Sequence, residues 1–132
     1  MIDCEICGAK NSVEEKQEDY EFIYKTQTIK DVLNYSYCNE CKSEFASDVN
    51  NNKNLISKNR LIKDKEGLLY GSVVKDIRIN NDLSVEYMAK ILDVNKEVYL
   101  KIEADIRLQD NCQNNLLMCI WNNSYTTLEI IK

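Results

Sequence analysis

Four cysteines in two Cys-x-x-Cys pairs, Cys4 with Cys7 and Cys38 with Cys41, carry the clearest chemistry in this 132-residue chain. Pairs thirty residues apart can set four thiolates at the corners of a tetrahedron, the arrangement that a structural zinc ion favours at Zn–S of about 2.3 Å. Four sulfurs leave no open coordination position, so the site is expected to be structural and not catalytic. Gly8, directly after Cys7, lets the backbone turn tightly with its amides aimed at sulfur, whereas Lys42 holds that place in the second pair. The competing readings are a pair of redox motifs or unrelated buried thiols.

The remaining reactive inventory is thin. There is no histidine, which excludes histidine acid-base catalysis and confines transition-metal ligands to thiolates and carboxylates. Proline is absent too, and Gly8, Gly67 and Gly71 are the only glycines, so no glycine-rich loop can cradle a phosphate. A thiol oxidoreductase using Cys4 and Cys7 would lack an accompanying base, acid pair or nucleotide loop, and the chain is expected not to be an enzyme. Cys112 and Cys119, on one face of an expected helix beside Leu116 and Ile120, read as buried apolar cysteines without chemistry.

The elements that must position the cysteines can be read from periodicity. Tyr20 to Tyr24 and Val32 to Tyr37 alternate in the manner of strands, with Thr26 to Lys30 between them, and two antiparallel strands would bring the cysteine pairs together. Tyr20, Phe22, Tyr24, Tyr35 and Tyr37 serve either as the core of this small sheet or as a partner surface, since a two-stranded sheet cannot bury both faces by itself. Residues 47–66 form a polar connector in which Leu55, Ile56, Leu61 and Ile62 suggest a short amphipathic helix, with Asn50-Asn51-Asn52 as its start or a hinge. A boundary is expected near Gly67.

From Leu68 the helical period dominates. Leu69, Val73, Ile77 and Ile79 mark one face of a first helix ended by Asn80-Asn81-Asp82. Ser84 caps a second helix with Val85, Met88, Ala89 and Leu92, and a third begins after Asn95 with Val98, Tyr99 and Ile102 facing inward. Cys112 to Asn122 and Thr126 to Ile131 supply one or two more. The expected fold class is α+β: a zinc β-ribbon over residues 1–46, the connector, and an all-α domain of four to five helices over residues 67–132.

The balance of 17 basic against 22 acidic side chains gives a formal net charge of −5, which repels phosphate at long range. Apolar runs such as Leu116 to Trp121 fall far short of the roughly 20 residues that cross a bilayer, and a metal-type motif stands where a signal peptide would begin. The chain is therefore expected to be cytoplasmic, with no membrane partner.

The segment Leu83 to Glu103 follows the residue order of a helix-turn-helix. Small Ala89 lets two helices approach, Asp93 occupies the turn where glycine is usual, and Val94 fills the corner between them. With the two cysteine pairs and the Tyr20 to Tyr37 region, this segment resembles the MqsA-type antitoxins, which join a YgiT-type zinc ribbon to a helix-turn-helix of the XRE class. The resemblance spans nearly the whole chain. It implies a homodimer through the C-terminal domain, a toxin bound by the zinc domain, and repression of the chain's own operon.

In a helix-turn-helix the start of the second helix enters the major groove, making Asn95, Lys96, Glu97, Leu100 and Lys101 the expected DNA-reading residues. Asn95 and the lysines suit bases or phosphates, and Glu97 suits cytosine N4. The family's basic, glycine-containing turn is replaced by Glu103-Ala104-Asp105, while Arg78, Lys101 and Arg107 are expected to form a local basic patch. The alternative is an adaptor: a helical bundle that keeps this geometry for packing, or binds protein and no longer DNA.

Overall fold

A computed structural model describes residues 2–122 as a mixed α+β chain, a three-stranded antiparallel sheet followed by five helices. It divides into two compact units between Lys58 and Asn59. In the first unit, β1 (Val13–Tyr24) and β2 (Gln27–Cys38) pair along their whole length, from Val13↔Cys38 to Tyr24↔Gln27. The hairpin is much longer than the two expected strands. Its base is built from polar residues such as Glu14, Lys16 and Glu18, whose low strand propensity is overridden by cross-strand pairing.

The short strand β3 (Glu44–Phe45) pairs with Ser36 and Tyr37 on the other edge of β2. Helix α1 (Asp48–Glu66) then continues to cover that edge with side chains. The Asn54 carboxamide accepts from the Asn34 backbone N–H at 2.7 Å and donates to the Asn34 carbonyl at 2.9 Å, extending the ladder where β3 stops. Asn50, 1% exposed, is hydrogen-bonded to the Ser36 hydroxyl at 2.7 Å, and Ser57 donates to Asp31 at 2.6 Å. The asparagine run therefore lies at the start of the helix, beginning two residues after its first position, and is not a hinge. Beside β2 the helix packs through these polar groups; of the expected apolar positions Ile62 is buried and Ile56 and Leu61 are half-buried, while Leu55 stays 39% exposed. All five strand aromatics, Tyr20, Phe22, Tyr24, Tyr35 and Tyr37, are half-buried.

In the second unit, α2 (Gly71–Asn80), α3 (Val85–Ile91), α4 (Lys96–Glu103) and α5 (Asn111–Asn122) surround a core that includes Val74, Ile77, Met88, Ala89, Leu92, Tyr99, Ile102, Leu117 and Ile120. Ser84 caps α3 as expected, accepting from the Tyr87 N–H at 3.0 Å. Ile79 does not share the inner face of α2. It is 54% exposed, because two residues beyond buried Ile77 is about 200° around a helix. Helical phase also corrects Cys112 and Cys119, which are exposed: the buried face of α5 carries Asn114, Leu117 and Ile120, with Cys112 two residues before Asn114 and Cys119 one residue before Ile120. The helix expected over Thr126 to Ile131 lies outside the described residues. Among the described residues no helix is long and apolar enough to cross a membrane.

One buried carboxylate ties the second unit together. Asp105, 2% exposed and at φ 61, accepts from Lys63 Nζ at 2.5 Å, Arg60 Nε at 2.9 Å and the Gly71 N–H at 2.8 Å. Its own carbonyl accepts from the Asn59 amide at 2.8 Å. Glycine is required at position 71 because a Cβ there would lie 2.1 Å from the Glu103 carbonyl oxygen. Gly71→Ala is expected to cost at least about 1–3 kcal/mol by overpacking. Urea unfolding followed by the fluorescence of Trp121, the sole tryptophan, measures this, and an unchanged midpoint would contradict the close approach.

Candidate metal centre

Register makes the site. Val13 opposite Cys38 sets the base of the hairpin, and the Val13 N–H donates to the Ile2 carbonyl at 3.0 Å, which folds the N-terminal segment back beside β1. The two cysteine turns then face each other with matching backbones. The Cys4 N–H donates to the Ala9 carbonyl and the Cys38 N–H to the Ser43 carbonyl, both at 3.0 Å; the Gly8 N–H returns to Cys4 O and the Lys42 N–H to Cys38 O, both at 2.9 Å. Gly8 and Lys42 hold the equivalent left-handed position at φ 75 and φ 62. Lysine accepts that strain because the turn needs this geometry, not because the residue prefers it.

The four sulfurs of Cys4, Cys7, Cys38 and Cys41 all lie within 4.8 Å of one another, close enough to hold a metal ion. Two of the separations are 3.8 Å, Cys4 to Cys41, and 3.7 Å, Cys7 to Cys38. A tetrahedron with metal–sulfur bonds of about 2.3 Å has sulfur–sulfur edges of about 3.8 Å, so the spacing fits a thiolate-bound cation; a disulfide requires about 2.05 Å.

The electrostatics of the donor set point the same way. Hydrogen bonding from Ser12 first, then the backbone of Cys41 and Glu40, pulls the Cys38 thiol from 9.0 down to about 6. Cys7 behaves oppositely. The Ala9 backbone lowers it, but burial and the three neighbouring sulfurs together push it up to about 12. Sulfurs this close cannot all ionise unaided, because each thiolate repels the next. A divalent cation removes that conflict and deprotonates the coordinating thiols outright.

Ser12 and Ser43 are part of this site and were not anticipated from the sequence. The Ser12 hydroxyl lies 3.2 Å from Cys38 Sγ and the Ser43 hydroxyl 3.3 Å from Cys41 Sγ. The only available signal was a serine two residues after the second pair, at the place Ala9 fills after the first.

The residues expected to read DNA occupy the start and outer face of α4, and all five are exposed. The Asn95 side chain caps that helix, accepting from the Val98 N–H at 2.8 Å, so its carbonyl oxygen is engaged. Lys96 Nζ pairs with Glu86 at 3.0 Å. Glu97 and Lys101 are exposed, and Leu100 is an apolar side chain 43% exposed in the middle of that face. The basic patch expected from Arg78, Lys101 and Arg107 loses Arg78, whose guanidinium is held by Glu103 at 3.0–3.3 Å. Compared with known proteins, the chain matched no protein-family model and no curated protein.

Proposed function

We propose that this chain is a zinc-holding antitoxin and autorepressor, with a zinc ribbon that docks a toxin and a helix-turn-helix that binds operator DNA. The observation that carries the reading is the pairing of α3 with α4. The helices are separated only by residues 92–95, Asp93 takes the left-handed turn position at φ 57, and Ala89 is 4% exposed where the helices approach. This supports a helix-turn-helix in which α4 enters the major groove. There Lys96 and Lys101 neutralise phosphates, Leu100 meets thymine methyls, and Glu97 accepts from cytosine N4.

The acidic balance opposes DNA less than a count suggests. Glu103 is spent on Arg78, and Asp105 is buried against Lys63 and Arg60. Neither carboxylate is free to repel a phosphate. A homodimer through the second unit would present two α4 helices to half-sites about one DNA turn apart. Four thiolates with no open position suit zinc as a structural ion in the first unit. There the edge strand β1, whose outer side carries only the Ile2 bridge at Val13, is the surface we assign to a toxin.

A second reading, a protein-interaction adaptor that no longer binds DNA, is favoured by exposed Leu100, by Glu97, and by the engagement of Lys96 with Glu86. A band-shift assay on the DNA upstream of the chain's own reading frame separates the two. The expected result is a specific shift that weakens steeply with salt, and a Lys96→Glu, Lys101→Glu variant that loses it, since each phosphate contact contributes about one unit of salt slope. The absence of any shift at low salt, or undiminished binding by the variant, would remove the DNA reading and leave the adaptor.

A further inference from the structure

The two cysteine turns superpose in their backbone hydrogen bonds but differ in the groups that face sulfur. Each sulfur is approached by backbone N–H groups: Ile6 at 3.3 Å and Cys7 at 3.4 Å on Cys4, Cys41 at 3.4 Å on Cys38, with Ala9 and Ser43 playing the same part for Cys7 and Cys41. Hydroxyls face the sulfurs of the second turn only, Ser12 beside Cys38 and Ser43 beside Cys41. Position for position, Ser43 matches Ala9, whose methyl donates nothing. Exposure singles out Cys7: Cys38 is 0% and Cys4 4% exposed and Cys41 is half-buried, whereas Cys7 is exposed.

We propose that the Ser12 and Ser43 hydroxyls make the centre lopsided, so that the Cys38–Cys41 turn retains the cation while the Cys4–Cys7 turn opens, Cys7 leaving first. This rests on the reading that the four sulfurs hold a cation. As thiols, Cys38 and Cys41 donate to the serine oxygens. As thiolates, which metal binding demands, they only accept, and the hydroxyls must turn to donate. Four thiolates around a divalent ion leave a net charge of −2, and donors beside sulfur spread that excess charge and hold each ligand in place. Cys38 and Cys41 have this help within a buried or half-buried setting. Cys7 has neither the hydroxyl nor the cover, so exchange with water, chelators or an incoming thiol begins there. Ser43 is a positioning residue, not a ligand. Ser12 acts alongside it, although its hydroxyl also donates to the Ala9 carbonyl at 3.0 Å, which makes Ser43 the cleaner test.

The test is metal transfer from the zinc-loaded full chain to excess pyridylazoresorcinol, followed by absorbance. Ser43→Ala is expected to speed release about tenfold, Ser43→Thr to keep the native rate, and Ala9→Ser to slow release by adding the missing donor. Brief N-ethylmaleimide treatment of the zinc-loaded chain, mapped by mass spectrometry, should label Cys7 before any other ligand sulfur. Equal release from Ser43→Ala and the native chain, or labelling of Cys38 or Cys41 ahead of Cys7, overturns the asymmetry. A chain that takes up neither zinc nor cobalt overturns the metal reading itself, and the asymmetry with it. Dispersed amide resonances from Ser43→Ala confirm that a faster rate reflects the site and not unfolding.

Discussion

Removing the cation, or one of its ligands, is expected to unfold the cysteine end of the first unit outright. The buried apolar cluster there consists of Cys4, Val13 and Cys38, with Cys41 and Phe45 packed against it, so three of its five members are cysteines of the proposed metal site. Such a core has almost no apolar area to contribute without the metal. Structural zinc in comparable small sites contributes about 10–16 kcal/mol of apparent binding free energy near neutral pH, as much as the ~5–15 kcal/mol that stabilises a whole ordinary domain. Cys38→Ser should therefore abolish stoichiometric zinc, and chelation of the native chain should collapse the dispersed amide resonances of residues 2–45. The resonances of the second unit should persist, because its core shares no residue with the cysteine cluster. Acid should act like a chelator, since protons compete for all four sulfurs and retention falls as pH drops. A metal-free chain with four freely titrating thiols and an unchanged spectrum would refute the account.

The cysteine centre was legible because its information is local: the spacing within each pair fixes a turn, and the strands between the pairs need only return. Ser84 and Asp93 were legible for a similar reason. A capping hydroxyl and a left-handed turn residue act within three or four positions of themselves. What escaped the sequence depends on distant partners. Asn54 looks like a connector residue until the Asn34 backbone is beside it, and the Asn-rich run reads as flexible for the same reason. Glu103 and Asp105 read only as acidic replacements in a turn the family keeps basic, because nothing local reveals Arg78 on α2 or Lys63 on α1. Ile79 and the pair Cys112 and Cys119 failed differently. Apolar character was taken for burial, although helical phase places each one or two residues off the inner face.

Asp105→Ala is expected to be the most damaging single change in the second unit, at about 3–5 kcal/mol. The cost arises from what the substitution strands, not only from what it removes. Lys63 is 0% exposed, and burial pulls its ammonium below the ordinary value of 10.5 against the opposing pull of Asp105. Without the carboxylate, a buried charge and the Gly71 N–H lose their acceptor together. Lys63→Met should cost less, because Asp105 keeps Arg60 and the Gly71 N–H while the lysine stem is replaced by a side chain of similar shape. Burial would raise the Asp105 pKa, but Lys63, Arg60 and the Gly71 N–H outweigh it and hold the carboxyl below its usual 3.8. A folded value lower than the unfolded one means that the contribution is fully present above the ordinary carboxylate pKa. It is lost as acid carries the solution down through the folded value. Urea unfolding monitored at Trp121 should therefore show the native chain weakening below about pH 4, with Asp105→Ala already weak at neutral pH and less sensitive to that acid range. If Asp105→Ala matched the native midpoint to within about 0.5 kcal/mol, or lost as much stability in acid as the native chain, the carboxylate would not be the tie described here.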